Sequence, residues 1–379
     1  MGRAFSRSPG SARHRWVADA LAGHWPLASQ ARVRDCVAMT EESWSAVLEE
    51  SPLDWLVEPD APAVRAMALE QLCGRDTVDD DVMAARSAAM VVDPIAGILD
   101  AQHEDGWWGK PGPGYSPKYT STVWNLIILA QLGADPADRH IQNACDYVMT
   151  YTATSQGGFG CSSVAAERPA PPSSVIHCLN GNLAHALIRF GHVDHPIVRT
   201  ATDWSARHIL GEDVERWYAN TPEPGFACGN NDGQPCAWGA IKALRGLAAI
   251  PEATRTDREQ RSIEAGIEFL LSSNPVEAMY PMGYGNTKPS SSWFKLGFPS
   301  GYVCDVLQNL EVLSDLGMAG DSRLDNAFTW LIGLADDHGR WANRYAYAGK
   351  TTVPIDEQGE PSKWVTLRAC TVLRARHQT

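Results

Sequence analysis

Residues 120–133, TSTVWNLIILAQLG, and residues 178–191, CLNGNLAHALIRFG, share one design: a small residue, an apolar stretch, and a glycine thirteen places on. The register recurs at 236–249 and 304–317 and, more loosely, at 363–376. Thr120, Cys178, Cys236, Cys304 and Lys363 are therefore equivalent points of a repeat about 58 residues long. Each unit carries a helix apolar on most faces, at 123–132, 183–190, 240–249, 306–316 and 365–373, which needs neighbours on both sides, and this is the mark of stacked helical repeats. Equivalent positions of such an array lie on one rim. Three of these five are cysteine, which suggests a site shared between repeats.

Between the apolar helices lie segments with one polar face, at 139–151, 197–209, 256–272 and 321–335. A glycine and an aromatic follow the polar helices: Gly106-Trp107, Gly158-Phe159, Gly225-Phe226, Gly283-Tyr284 and Gly339-Arg340-Trp341. Their spacing supports the period independently. Ahead of the repeats, shorter amphipathic helices are expected at 41–50, 63–73 and 81–91, with Asp60 as cap, Pro62 in the first turn and Gly74 as the stop. No period-two alternation is long enough to build a sheet. The pattern predicts an all-α fold, an α/α toroid of the (α/α)6 type with six inner helices inside six outer ones. One domain would cover 16–379, with N-terminal helices over 16–93 and helix pairs over 94–379, and residues 1–15 would be a disordered tail. An open solenoid of similar repeats is the alternative.

Lysine plus arginine number 32 against 45 aspartates and glutamates, a net charge of -13 that argues against a nucleic-acid partner. No apolar run reaches the 18 or so residues of a membrane span, and the opening residues lack the apolar core of a signal peptide. A cytoplasmic protein is expected. Its nine cysteines then read as thiols or metal ligands rather than a disulfide framework.

Gln102-His103-Glu104-Asp105-Gly106-Trp107-Trp108 fits a Gln-x-x-x-Gly-x-Trp pattern, with weaker versions at Gln156 to Phe159 and Asp337 to Trp341. With the repeat length, residues 94–379 resemble the terpenoid cyclase and protein prenyltransferase superfamily, including bacterial squalene-cyclase-like repeat proteins. The resemblance implies a toroid enclosing a cavity for isoprenoid chains. Gln102 and Trp108 would then tie one helix pair to the next. Two departures follow. The Asp-x-Asp-Asp acid of class II cyclases, laid on Tyr302-Val303-Cys304-Asp305, keeps only Asp305, and a thiol is about four pK units too weak to replace the lost carboxyl. The Asp-Asp-x-x-Asp magnesium motif of class I cyclases is absent as well. The prenyltransferases imply a rim zinc site and a separate helical subunit; Cys304-Asp305 supplies the residue types without their order.

Cys178, Cys236 and Cys304 stand at helix N-termini, where the dipole stabilises a thiolate. Cys161 and Cys228 precede them in matching Gly-Phe-x-Cys turns. Cys161, Cys178, Cys228 and Cys236 have the composition of a closed zinc site, and exchanging one for Asp305, His177 or water would open it. The same cysteines read equally as small apolar packing residues. Asp305 and His177 are the candidate acid and base. Tyr119, Trp124, Trp238, Trp293, Phe294, Tyr302 and Trp364 gather near the same rim and could line a hydrophobic substrate site, since aromatic faces stabilise cations. Lys118, Lys288, Lys295 and Lys363 offer partners for a diphosphate. Asn182 and His185 are polar residues in an apolar helix, expected to face the cavity. Two functions are in play: an isoprenoid cyclase or transferase, and a non-catalytic toroid that binds a lipid or protein.

Overall fold

The computed structural model describes residues 44–164 and 168–379. The expected tail over 1–15 and the first residues of the helix expected at 41–50 lie outside the described residues. Among those described, thirteen α-helices occur and no strand longer than an isolated bridge. They are α1 (Leu53–Leu56), α2 (Pro62–Gln71), α3 (Asp80–Ala89), α4 (Ile95–Asp100), α5 (Thr122–Gln131), α6 (Arg139–Tyr151), α7 (His177–Arg189), α8 (Pro196–Leu210), α9 (Ala237–Ala248), α10 (Asp257–Leu271), α11 (Val306–Asp315), α12 (Asp325–Ile332) and α13 (Lys363–His377).

The inner helices follow one another around a ring: α5 packs on α7, α7 on α9, α9 on α11, α11 on α13, and α13 on α2. All six contribute side chains to one central cavity, an arrangement that requires a closed circuit and excludes the open solenoid. The joint between the last helix and the first is polar. Thr371 donates to Gln71 Oε1 at 3.3 Å, the Arg374 guanidinium donates to the Gln71 carbonyl, and Lys363 pairs with Glu58 at 2.8 Å. Helices α6, α8, α10 and α12 pack outside the ring, and α3 backs α2.

Sequence signals explain several helix ends. In α10, Thr256 and Glu259 form a reciprocal capping box. In α8, Pro196 occupies the first turn, where its missing N–H costs nothing, and His195 caps it. Inner helix α5 is buried along its whole length, as its apolar sequence requires.

Four expectations need correction. Helix α7 starts at His177, well before the expected 183, because its weak helix formers are used in packing. Asn180 donates to Ala201 O at 2.9 Å and Ser205 Oγ at 2.8 Å, and a Cβ on Gly181 would stand 2.0 Å from the Lys242 carbonyl. Only glycine permits that approach of α7 to α9. Asp60 does not cap α2; Ala61 precedes it with no side-chain bond. The described part of 41–50 holds only a 3-10 turn at Ser45–Val47. The segment 321–335 divides into a 3-10 turn, Ser322–Leu324, and α12.

The glycine-aromatic turns act as repeated struts. Trp108 donates from Nε1 to Ile98 O at 2.7 Å and from its backbone N–H to Thr122 Oγ1 at 3.1 Å. Trp341 repeats this with Leu331 O at 2.7 Å and Thr366 Oγ1 at 2.9 Å. Phe159 keeps the backbone half of the motif, donating to Asn180 Oδ1 at 2.9 Å. Gln102 donates to His140 O at 2.9 Å and so ties α4 to the start of α6. The two tryptophan struts link the end of one outer element, α4 or α12, to the first turn of the next inner helix.

Candidate functional site

The ring's centre is crossed by its own chain. The segment ahead of α11 runs inward, with Gly297 N–H donating to Asp305 Oδ2 at 3.0 Å and Asn343 Nδ2 donating to Phe298 O at 2.7 Å. The Phe298 ring stacks on Trp364 at 4.5 Å. Ser300 then bonds to Gln131 of α5, and the Gly301 carbonyl accepts from Asn182 of α7 at 3.3 Å. A Cβ on Gly301 would meet the Tyr347 hydroxyl at 2.6 Å, so the segment lies directly against the aromatic residues of the mouth. This plug divides the lumen in two.

On one side, at the N-terminal ends of the inner helices, is an aromatic mouth. Trp124 packs on Tyr119 and Tyr302 at 4.9 Å each and on Tyr115 at 5.6 Å, and Tyr119 meets Tyr347 at 4.6 Å. The exposed Lys118 places its ammonium 5.2 Å from the Tyr119 and Tyr302 ring centres and 5.8 Å from that of Trp124. Tyr119 and Tyr347 both hold positive φ, 72° and 52°, a strained backbone region for bulky residues. Of the seven aromatics expected at the rim, Tyr119, Trp124 and Tyr302 come together here. Trp364 lies beyond the plug against Phe298. Trp293 packs on Tyr280 at 5.5 Å and Phe294 on Trp330 at 6.4 Å, outside the lumen, while Trp238 is half-buried beside Cys304. Tyr115 and Tyr347 complete the cluster and were not expected. Tyr115, four residues from Tyr119, was the readable hint.

The thiols do gather near this rim, as the repeat register implies. Cys228 accepts a hydrogen bond from the Cys236 thiol, and Cys178 lies within electrostatic reach of Cys304, Cys228 and Cys236. Cys161 donates to Ser174 O at 2.9 Å. Yet no three Cys, His, Asp or Glu side chains among the described residues are grouped so that they could hold a metal ion, so the zinc expectation for Cys161, Cys178, Cys228 and Cys236 finds no fit here. The expectation of dipole-stabilised thiolates at Cys178, Cys236 and Cys304 is also corrected. Burial outweighs the dipole and pushes the Cys178 thiol up, that of Cys304 up to about 12, and that of Cys236 up through its bond to Cys228 and burial. Cys228 alone is lowered, by Cys236 and by the N–H groups of Asn230 and Asn231. Cys73, read with the other cysteines as a thiol or metal ligand, is disulfide-bonded.

Asp305 and His177 sit where a catalytic pair would be of little use. Asp305 caps α11: Oδ1 accepts from the Gln308 N–H at 2.8 Å, and Oδ2 accepts from Gly297. His177 packs between Trp204 and Phe226 at 5.3 and 5.8 Å, toward the outer helix α8. Neither of its ring nitrogens has a hydrogen-bond partner, and burial lowers its pKa to about 3.

Beyond the plug lies a cavity of about 340 Å3, lined mostly by the C-terminal halves of the inner helices. Its polar walls include Arg189, Arg245, Arg368, Glu311, Asp315 and His185. Arg368 grips Glu311 through Nε–Oε1 at 2.6 Å and Nη2–Oε2 at 2.5 Å, and donates to Gly297 O at 2.8 Å. Behind the wall the fully buried Lys242 donates to Gln308 Oε1 at 2.6 Å. Burial and the neighbouring cations keep His185 neutral. Asp315 is raised to about 6 by burial and by Glu311. Of the two residues expected to face the cavity, His185 lines it, whereas Asn182 is buried against the plug at the Gly301 carbonyl; the chamber is charged and not a hydrocarbon sleeve.

The architecture places the chain among all-α toroids. It matches no protein-family model and no curated protein sequence. Among solved structures it is similar to a type II terpene cyclase, MstE from Scytonema, in complex with merosterolic acid A, at 11% identity and a TM-score of 0.28 over 75% of this chain and 95% of that one. A likeness of that size says nothing of activity. No helix among the described residues is long and apolar enough to cross a membrane.

Proposed function

We propose that this toroid binds a hydrophobic molecule of isoprenoid type at its aromatic mouth and acts on it as a cyclase- or transferase-like enzyme. The observation that supports this reading is the convergence of the Tyr119, Trp124 and Tyr302 rings on one cation. Ring quadrupoles favour positive charge in front of them, whether an ammonium or a cationic centre on a hydrocarbon chain. Lys118 is exposed and can swing aside for a ligand, or pair with an anionic head group. The strained Tyr119 and Tyr347 are consistent with a surface held for function.

A second reading, a binder without catalysis, is favoured by the withdrawal of Asp305 into a helix cap and of His177 into packing. Incubation with farnesyl diphosphate, geranylgeranyl diphosphate and squalene, followed by mass spectrometry, separates the two. New products in the wild type, lost in Trp124→Ala, support the enzyme. Unchanged substrate together with ligand-dependent quenching of tryptophan fluorescence supports the binder, and unchanged substrate without quenching refutes both.

A further inference from the structure

We propose that the charged chamber beyond the plug is a binding site for a compact oxyanion-bearing molecule, held by the guanidinium groups of Arg189 and Arg245. Nothing in the reading of the aromatic mouth requires this site, which lies at the other end of the lumen.

Three guanidiniums face two carboxylates across the chamber wall, inside a chain whose net charge is -13. One guanidinium is already spent: Arg368 satisfies Glu311 in a bidentate pair. Arg189 and Arg245 make no hydrogen bond or contact ion pair among the described residues, and neither is among the polar groups sealed from solvent without a partner. Both line the chamber, Arg245 half-buried and Arg189 exposed where it also lines a neighbouring surface pocket, so their donors are open to an incoming anion. The remaining carboxylate, Asp315, is raised to about 6, which shows that the two arginines only partly offset its burial and its repulsion by Glu311. The ordinary reason for arginine near a helix C-terminus is the exposed carbonyls there, but neither side chain donates to one.

A guanidinium desolvated beyond what its counter-charges offset destabilises the empty protein; burial lowers the Arg245 pKa, and Glu311 and Asp315 only partly compensate. An oxyanion bridging Arg189 and Arg245 would relieve this, with neutral His185 on α7 and Gln71 as further polar groups on the wall. At about 340 Å3 the chamber lies at the small end of ligand pockets, roughly 300–1,000 Å3, which suits a small polyanion and excludes a long isoprenoid.

The test is calorimetric titration and thermal unfolding of the full chain with citrate and with inorganic phosphate, at balanced ionic strength, in the wild type, Arg189→Gln and Arg245→Gln. The expected result is saturable binding with a rise in Tm, weakened about tenfold or more in each variant. Binding of citrate alone marks a polycarboxylate site, and binding of phosphate alone a phosphate site. A second readout guards against a structural role: without ligand, Arg245→Gln should unfold at or above the wild-type temperature. No Tm rise with either anion, equal binding by all three proteins, or a ligand-free Tm of Arg245→Gln well below wild type would each overturn the proposal.

Discussion

Gln131 and Ser300, 169 residues apart, exchange two hydrogen bonds at the centre of the ring: the Ser300 N–H donates to Gln131 Oε1 at 2.7 Å, and Gln131 Nε2 donates to the Ser300 carbonyl at 2.9 Å. Both groups are buried. Gln131→Ala would leave a buried donor and acceptor unpaired, a loss of about 1–3 kcal/mol of stability. Urea titration checks this. An unchanged midpoint would mean that the plug is not held by this pair.

The bidentate contact of Arg368 with Glu311 is mostly buried, with side chains 12% and 20% exposed. Arg368→Met should cost about 3–5 kcal/mol by stranding the carboxylate. Burial raises the Glu311 pKa, but Arg368, with Arg245 and Lys242, more than reverses it, so the folded value lies below the unfolded one. That stability is present above the unfolded carboxylate pKa of about 4.3 and is lost as pH falls through the folded value. Denaturant titrations from pH 7 downward should show this loss in the wild type and not in the variant.

His177 has the opposite chemistry. Its folded pKa of about 3 lies below the ordinary value of 6.5, so below pH 6.5 the unfolded state binds a proton that the folded state refuses. Stability should therefore fall as pH drops from 6.5 toward 3. His177→Phe should remove that slope, because the site is already walled by Trp204 and Phe226. A steeper acid loss in the variant would assign His177 a bonded role that the structure does not contain.

The thiols should separate by reactivity. Half-buried Cys228 is lowered by Cys236 and by backbone N–H groups, whereas burial raises Cys178 and Cys304. Iodoacetamide at neutral pH, followed by peptide mapping, should label Cys228 first. Cys236→Ala should slow that labelling by removing the donor. Faster labelling of Cys178 would contradict the burial argument.

The ring was legible in the sequence because its cause is periodic. The apolar helices recur with the register of Cys178, Cys236 and Cys304, and struts such as Trp108 and Trp341 recur with their glycines. The early start of α7 was not legible, because Asn180 and Gly181 are poor helix formers in isolation and are justified only by Ser205 and Lys242 across the packing. The thiols share a rim as the register implies, but their protonation depends on burial, which a register does not report. The plug had no local signal: nothing in Phe298 to Gly301 says that this loop will turn into the lumen. With the plug unseen, a single apolar cavity was the natural expectation, and nothing in the sequence singled out Arg189 or Arg245.

The central claim is that the segment ahead of α11 fills the ring and divides its lumen. Amide hydrogen exchange resolved to peptides covering 296–304 tests it directly, since this stretch lies outside the helices, and exposed loops exchange quickly. The account predicts that the Gly297, Phe298 and Ser300 amides, donated to Asp305, Asn343 and Gln131, are protected as strongly as the inner helices. Exchange as fast as that of the exposed 348–350 turn would contradict it.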